Sequence, residues 1–470
     1  MIAPNIMTRV SMMNTTVMTI HHLRVIQMPV AVMIIRLIPR YHDTYILSLN
    51  SNEYLVNFSN NKVYSIPSQL EGKRFTEWRW QSLEYLVYNG ILDEFPDDIS
   101  SPNDYSPTRG TFLLTSVCNL ECIYCYAANP FRYNLSLEKG KKALEYLVQN
   151  CFKTRCDRMA VRFHGVGEPT LNWDVLVGIA EHAADLCSKN NIRLELTLAT
   201  NGILTDAQRA WLGKNMTSVR LSFDGFAEVQ NSQRPHAVLN SFETVLATLN
   251  SLVEAGVPVS VQTTVTEKNV DVMPQWTEFL ADKGVKHINF QPVSFCGRCN
   301  QNRITDVDAD RFVLNYLRAK GISEGMSIKV HYSGVMYNRR SVYHCGAYTR
   351  NFVVTPNGLI STCYEIFAEN QDESQLFLIG SVENEVIIDM ERVRQLWRYA
   401  RMMGEECKDC FSQYNCGGGC LSRRCCTESP QIKDSLDNKC NLTRKLLLAE
   451  VSSFLKRRNL SEGEICTMDL

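Results

Sequence analysis

The sequence has no long apolar run, no excess of charge of either sign and no repeat of solenoid type. Its most apolar stretch, around Val25 to Ile38, is broken by Gln27, Pro29 and Arg36, too short and too interrupted to span a bilayer. No membrane partner is expected. A formal net charge of −1 leaves no room for the clustered Lys and Arg that a nucleic-acid backbone requires, so no nucleic acid is expected either. The first forty residues contain no Asp or Glu, are rich in Met and carry Arg9, Arg24, Arg36 and Arg40. They lack the small-residue cleavage site of a signal peptide. For residues 1–40 the reading is an uncertain extension with a misassigned start, Met28 or Met33 being the alternative first residues.

Cysteine, by contrast, is abundant. Eighteen occur in 470 residues, against an ordinary globular background of 45% hydrophobic and 21% charged residues. A chain this long is expected to form two or three domains. Secreted disulfide frameworks are usually short, whereas these thiols fall mainly into two clusters more than two hundred residues apart. That arrangement reads as metal ligation in a reducing compartment, hence a cytoplasmic protein.

Between Tyr45 and Phe58, two alternating segments flank the turn Asn50-Ser-Asn. A helical pattern near Glu77–Tyr88 ends before Asn89-Gly90. Residues 41–109 are thus a small α+β unit with a linker rich in Pro, Asp and Ser. From Thr111 to Pro292 strands alternate with helices. Strands are expected at Thr111–Val117, Met159–Phe163, Leu194–Thr200, Ser218–Phe223, Val257–Thr264 and His287–Gln291. Helices are expected near Leu137–Gln149, Trp173–Lys189, Asp206–Gly213, Ser241–Ala255 and Met273–Lys283. Repeated βα units impose a parallel sheet. Six of them suit an incomplete (β/α)6 TIM-type barrel spanning residues 110–300, with chemistry at the C-terminal strand ends. A bridging region at 301–344, a cysteine-rich domain at 345–440 and a C-terminal helix and tail at 441–470 complete the chain.

Cys118-Asn-Leu-Glu-Cys122-Ile-Tyr-Cys125 follows the first strand of that series. Three thiolates on one loop suit zinc or an iron–sulfur cluster. Structural zinc wants four protein ligands, and no fourth Cys or His lies nearby. A 4Fe–4S cluster on three cysteines leaves one iron open to a substrate. This C-x3-C-x-aromatic-C loop, with Tyr124 as the aromatic, resembles that of the radical S-adenosylmethionine (SAM) superfamily. Gly165-Val-Gly-Glu-Pro-Thr after the second strand resembles the family's glycine–glutamate–proline motif. The resemblance implies that Gly167 and Glu168 meet the amino group of SAM, that Ser222 contacts the cofactor and that Arg234 pairs with its carboxylate. It also implies a 5′-deoxyadenosyl radical that takes hydrogen from an unactivated C–H bond. Thr200-Asn-Gly ends the third strand at the same rim.

Cys345 and Cys363 flank Gly358, and Cys407-x2-Cys410-x5-Cys416-x3-Cys420 and Cys440 follow. A zinc ribbon is one reading of these thiols. Their spacing resembles the SPASM extension, which implies two auxiliary 4Fe–4S clusters: Cys407, Cys410, Cys416 and Cys440 on the outer, Cys345, Cys363 and Cys420 on the inner. The inner set lacks one ligand, with Cys296, Cys299, Cys425 and Cys426 as spare thiols. Cys151, Cys156, Cys187 and Cys466 read mostly as small buried hydrophobes.

SPASM-bearing relatives act on peptides and proteins. The resemblance therefore implies a peptide or protein substrate and a low-potential electron donor such as ferredoxin or flavodoxin. It favours a crosslink-forming maturase of a ribosomally made peptide. A formylglycine-forming sulfatase maturase would carry an acid directly after Cys363, where Tyr364 stands with Glu365 next. A peptide epimerase and a non-catalytic iron–sulfur or zinc protein are the other readings. The unit at 41–109 reads equally as a leader-peptide recognition element or as a cap.

Overall fold

The computed structural model describes residues 24–26, 33–37, 44–49, 52–58, 61–67, 104–127, 132–336, 341–348, 350–371, 374–402, 407, 410–424, 430–461 and 464–468. They fall into two compact units, Met1–Phe95 with Leu455–Met468, and Pro96–Phe454 with Asp469–Leu470. The helix expected near Glu77–Tyr88 lies outside the described residues, as do Cys425 and Cys426.

The first unit is a six-stranded antiparallel sheet. Strands β1 (Arg24–Ile26), β2 (Met33–Leu37), β3 (Thr44–Leu49), β4 (Asn52–Asn57) and β5 (Lys62–Ser65) follow in sequence order, and β17 (Ile465–Thr467) pairs with β5. The two alternating segments read from sequence are β3 and β4, paired from Thr44↔Asn57 to Leu49↔Asn52. Two further strands fall within residues 1–40, and one comes from the far end of the chain, where only a tail was expected. Residues of both faces of β4 are buried, from Glu53 to Asn57, so this sheet is not half-solvated.

The second unit carries the alternating βα series. Its strands are β6 (Arg109–Leu113), β7 (Arg158–His164), β8 (Arg193–Thr200), β9 (Ser218–Ser222), β10 (Val259–Val265), β11 (His287–Pro292) and β12 (Lys329–His331), parallel and adjacent in that order. Between them run α1 (Leu137–Thr154), α2 (Trp173–Lys189), α3 (Asp206–Asn215), α4 (Ala227–Gln233), α5 (Ser241–Glu254), α6 (Met273–Asp282) and α7 (Ala309–Glu324). Side-chain caps start several of these helices: Ser136 and Asn240 accept from the amide three residues on, and Thr205 forms a reciprocal capping box with Gln208. The bridging region is therefore not irregular, since it contributes α7 and β12.

The free edge of β6 is covered by β13 (Phe352–Val354), parallel to it. The antiparallel strands β14 (Leu359–Ser361), β15 (Leu378–Val382) and β16 (Val386–Ile388) extend the same sheet to eleven strands. Two helices complete the unit, α8 (Met390–Arg401) and α9 (Pro430–Arg458). Helix α9 begins ahead of the expected tail helix and takes Cys440 into its body. Its apolar side, Leu446, Leu447, Val451 and Phe454, is buried, and Glu450 pairs with Lys320 of α7 at 2.6 Å.

The two faces of the parallel series differ in chemistry. Met159, Val161 and Phe163 of β7, Leu196 and Leu198 of β8, and Val259 and Val261 of β10 are buried on one face. On the other, Arg162, His164, Thr197, Arg220, Ser222, Gln262, Asn289 and His331 are half-buried or exposed. Parallel sheets are normally apolar on both faces. A polar, accessible face in six successive strands is one that no apolar layer covers among the described residues.

Behind β10, Trp276 stands edge-on to Phe223 with ring centroids 4.8 Å apart, stacks on Phe279 at 5.2 Å and donates to Thr263 Oγ1 at 3.2 Å. It is 1% exposed. Trp276→Ala should lower stability by about 3–5 kcal/mol, measured by chemical denaturation.

Candidate active site

After β6 the chain leaves the sheet and returns along itself. Ser116 N donates to Tyr133 O (3.0 Å), Tyr133 N to Ser116 Oγ (2.8 Å) and Leu135 N to Leu114 O (2.9 Å). Cys118, Cys122 and Cys125 sit on the excursion so closed. The β7–α2 connection holds it from a second side, Gly167 N donating to Thr115 O (3.0 Å) and Glu168 N to Val117 O (2.8 Å). A Cβ on Gly167 would lie 2.1 Å from Val117 O, so only glycine permits this approach. From a third side Glu121 N and Ile123 N donate to Pro235 O and Gln233 O, both at 3.0 Å.

Glu168 is 2% exposed. Its Oε1 accepts from Thr170 N (3.2 Å), Thr170 Oγ1 (2.8 Å) and Thr200 Oγ1 (2.7 Å), and its Oε2 from Asn201 N (2.7 Å). Burial raises its pKa and these bonds lower it again, the upward effect being the larger. The carboxylate anticipated for an ammonium group is thus engaged by four donors of the protein. What Gly167 and Glu168 bring to the cysteine loop is backbone.

Asn201, one residue past β8, donates to Asn119 Oδ1 at 2.7 Å and reaches Cys118 Sγ at 3.8 Å. Leu120 N donates to the same sulfur at 3.5 Å. Arg234 follows α4. Its Nε and Nη2 grip Asp224 at 3.0 and 3.1 Å, and its Nη1 approaches Cys122 Sγ at 3.9 Å. The guanidinium lies 5.4 Å from the Tyr124 ring centre, and the Tyr124 hydroxyl bonds Asp224. The carboxylate that Arg234 meets is therefore an internal one, with one edge of the fork left toward the cysteine loop. Ser222 ends β9, paired in register with Gln262 and half-buried on the accessible face.

Three soft sulfurs on one loop, with N–H donors aimed at two of them, fit an iron–sulfur cluster, whose potential such bonds tune. Among the described residues no three His, Cys, Asp or Glu side chains are grouped to hold a single metal ion. Asn201 was read from sequence only as part of the Thr200-Asn-Gly rim, without a role, and Asp224 was not singled out. Their signal was position, since each lies one or two residues past a strand end beside a residue that was.

The later cysteines occupy two neighbourhoods. Burial pushes the Cys416 thiol up to about 12, and Cys440, Cys410 and Cys407 add to it by opposing its charge. Burial likewise raises Cys363, with Glu365, Cys420 and Cys345 contributing. Between the two, Gly417, Gly418 and Gly419 all have left-handed backbone, at φ 66°, 76° and 77°, which only glycine adopts in succession. They turn the chain from Cys416 to Cys420. Glu365 accepts from Arg423 at 2.5 Å and from Ser422 Oγ at 3.3 Å. Burial raises the Cys296 thiol to about 11, and Arg423, Glu365 and Lys439 all act on it. Half-buried Tyr126, next to Cys125, has its pKa raised by desolvation and then by the charges of Glu365, Cys125, Cys363 and Cys296 together. It lies where the first cysteine loop and the Cys363 neighbourhood meet. Tyr364 packs into the same apolar cluster as Cys125 and Tyr126 and stacks on His164 at 5.3 Å.

Burial holds His164 down at about 4; Arg220 and Arg162 push the same way, against the Gly165 carbonyl. Its ring is therefore neutral near pH 7, with Nδ1 3.1 Å from Gly165 O. A histidine that resists protonation when folded binds fewer protons than when unfolded, so stability rises with pH between about 4 and 6.5. His164→Gln should flatten the pH dependence of stability in that window, and NMR titration should show the wild-type ring neutral at pH 5.5. Asp224→Asn leaves a buried guanidinium without its countercharge. A loss of about 3–5 kcal/mol is expected by denaturant titration.

Residues 112–280 match the model of the Radical SAM superfamily. The antilisterial bacteriocin subtilosin biosynthesis protein AlbA of Bacillus subtilis (strain 168) is 25% identical over 372 residues, 76% of this chain and 74% of AlbA. Among solved structures, anSMEcpe with bound AdoMet and Cp18Cys peptide superposes with a TM-score of 0.57 at 19% identity, over 74% of this chain and 99% of that one. Streptococcus suis SuiB bound to precursor peptide SuiA gives 0.53 at 15% identity, over 83% and 97%. Both likenesses are of fold. Two further curated relatives, 31% and 30% identical, are spanned over only 59% and 53% of their own length. The parallel sheet, the cysteine loop after its first strand and the family match agree: this chain carries a radical SAM domain.

Proposed function

We propose that the chain is a radical SAM peptide maturase, its parallel series an incomplete (β/α)6 barrel and residues 345–440 a SPASM domain. The carrying observation is the junction at Tyr126, where the first cysteine loop and the Cys363 neighbourhood adjoin at the accessible face of the sheet. Cys118, Cys122 and Cys125 would hold a 4Fe–4S cluster. Cys407, Cys410, Cys416 and Cys440 would hold an outer auxiliary cluster, and Cys345, Cys363 and Cys420 an inner one. The first cluster, with SAM bound, would supply the chemistry of reductive SAM cleavage and hydrogen-atom abstraction from the substrate.

The chain's own residues prepare that event. Asn201, Leu120 N and Arg234 direct N–H groups at Cys118 and Cys122, favouring the thiolate. The Glu168 bonds fix the rim that SAM would contact through the backbone near Gly167 and through Ser222. The polar sheet face offers room for a peptide. AlbA serves bacteriocin biosynthesis by name, and SuiB binds a precursor peptide, so a ribosomally made peptide is the substrate class proposed. Crosslinking is favoured because two auxiliary clusters give a path for the electron left when a new bond closes. Glu365, tied to Arg423 and Ser422, is poorly disposed to act as the base of a formylglycine-forming enzyme. A low-potential ferredoxin or flavodoxin as donor and a cytoplasmic location follow from the same chemistry. Among the described residues no helix is long and apolar enough to cross a membrane.

Anaerobically reconstituted protein given SAM and dithionite should form 5′-deoxyadenosine, and C118A, C122A or C125A should abolish it. Iron-loaded wild-type protein that forms none would overturn the reading. Co-expression with a short peptide encoded beside the gene should yield a product two hydrogens lighter by mass spectrometry; an unchanged mass with an inverted residue would make it an epimerase.

A further inference from the structure

The accessible face of the sheet carries two arginines, Arg162 and Arg220, to which no binding role has been given. Arg162 of β7 lies opposite Thr197 of β8, and Arg220 of β9 lies opposite Ala199, two residues further along the same strand and on the same face. Arg162 Nη1 donates to the Tyr364 hydroxyl at 3.3 Å, and Tyr364 in turn stacks on His164. Burial and the charge of Arg162 both work against the charge of Arg220, with only Tyr364 acting the other way.

Among the described residues neither arginine has an ion pair. The same face does carry a countercharge for another arginine, since Arg158, four residues before Arg162 on β7, is paired with Glu195 of β8. The neighbouring rings add no anion. His164, His287 and His331 are all held below their usual pKa, first by burial, with Arg220 contributing in each case. The charge of Arg162 acts on Arg220 across this open face, and like charges within reach of one another repel. They are stable there when an anion completes the group, and two guanidinium forks suit the planar, two-oxygen shape of a carboxylate.

We propose that Arg162 and Arg220, with the Tyr364 hydroxyl between them and the stacked His164, form a carboxylate-binding site for the peptide substrate, taking an acidic side chain or the C-terminal carboxylate. This rests on the peptide-maturase reading and deepens it: the residue presented to the radical would lie near an acidic group. Ser222 stands two residues beyond Arg220 on the same face, so the anchor and the rim of the site are close along one strand.

The test uses the full-length, reconstituted protein and three fluorescein-labelled octapeptides read by anisotropy. One alternates Ala and Glu and is C-terminally amidated, one alternates Ala and Gln with a free C-terminus, and one alternates Ala and Gln and is amidated. At least one carboxylate-bearing peptide should bind about tenfold more tightly than the neutral one, and which one does so identifies the source of the carboxylate. The preference should vanish in the R162Q/R220Q double variant and persist in part in R162K/R220K, where charge remains without the fork. Equal affinity of all three peptides for wild-type protein would overturn the site. So would a double variant that loses SAM binding while keeping the peptide preference, since the anion would then be the cofactor's own carboxylate. Should the double variant not fold, the wild-type comparison decides alone. Failure to form 5′-deoxyadenosine removes the maturase reading itself, whereas its formation without any carboxylate preference removes only this site.

Discussion

One buried carboxylate holds the site together. Glu168 gathers the donors of Thr170, Thr200 and Asn201 around itself, and its own amide reaches Val117 on the cysteine loop. Three separate strand ends, of β6, β7 and β8, are thereby fixed to a single point. A carboxylate is expensive to bury unless its lone pairs are used, and here the cost is offset by hydrogen bonds that could form only with those strands in register. The register and the site are therefore the same constraint: a slip of β8 against β7 would strand Glu168 and free the loop.

The βα series was legible because its strands alternate and its helices are amphipathic; all six expected strands recur within a few residues of where they were read. The cysteine loop was legible because its spacing is short. Other features were hidden for physical reasons. Strands β12 to β16 are three to five residues long, too short for a period to show. That β13 pairs with β6 across more than two hundred residues is a matter of tertiary contact, invisible to local pattern. The same holds for Asp224 and Arg234. Sequence showed the arginine, but only the fold shows that a buried aspartate already occupies one edge of its fork.

The polarity of the inner sheet face was also missed, although each strand displayed it singly. Arg-x-His in β7, Arg-x-Ser in β9 and His-x-Asn-x-Gln in β11 each look like the solvent side of an antiparallel strand. Placed side by side in a parallel sheet with helices behind, they form one continuous polar face at whose strand ends the cysteine loop sits. The same residues change meaning once strand order is known.

The three glycines between Cys416 and Cys420 have a different kind of consequence. Their backbone lies in the left-handed region, which the other residue types enter only singly among the described residues, so the divergence of the two cysteines is encoded by handedness rather than by any side chain. Such a hinge offers selection nothing to tune by substitution. It can change only by gaining or losing a whole residue, and each such step would redirect a sulfur.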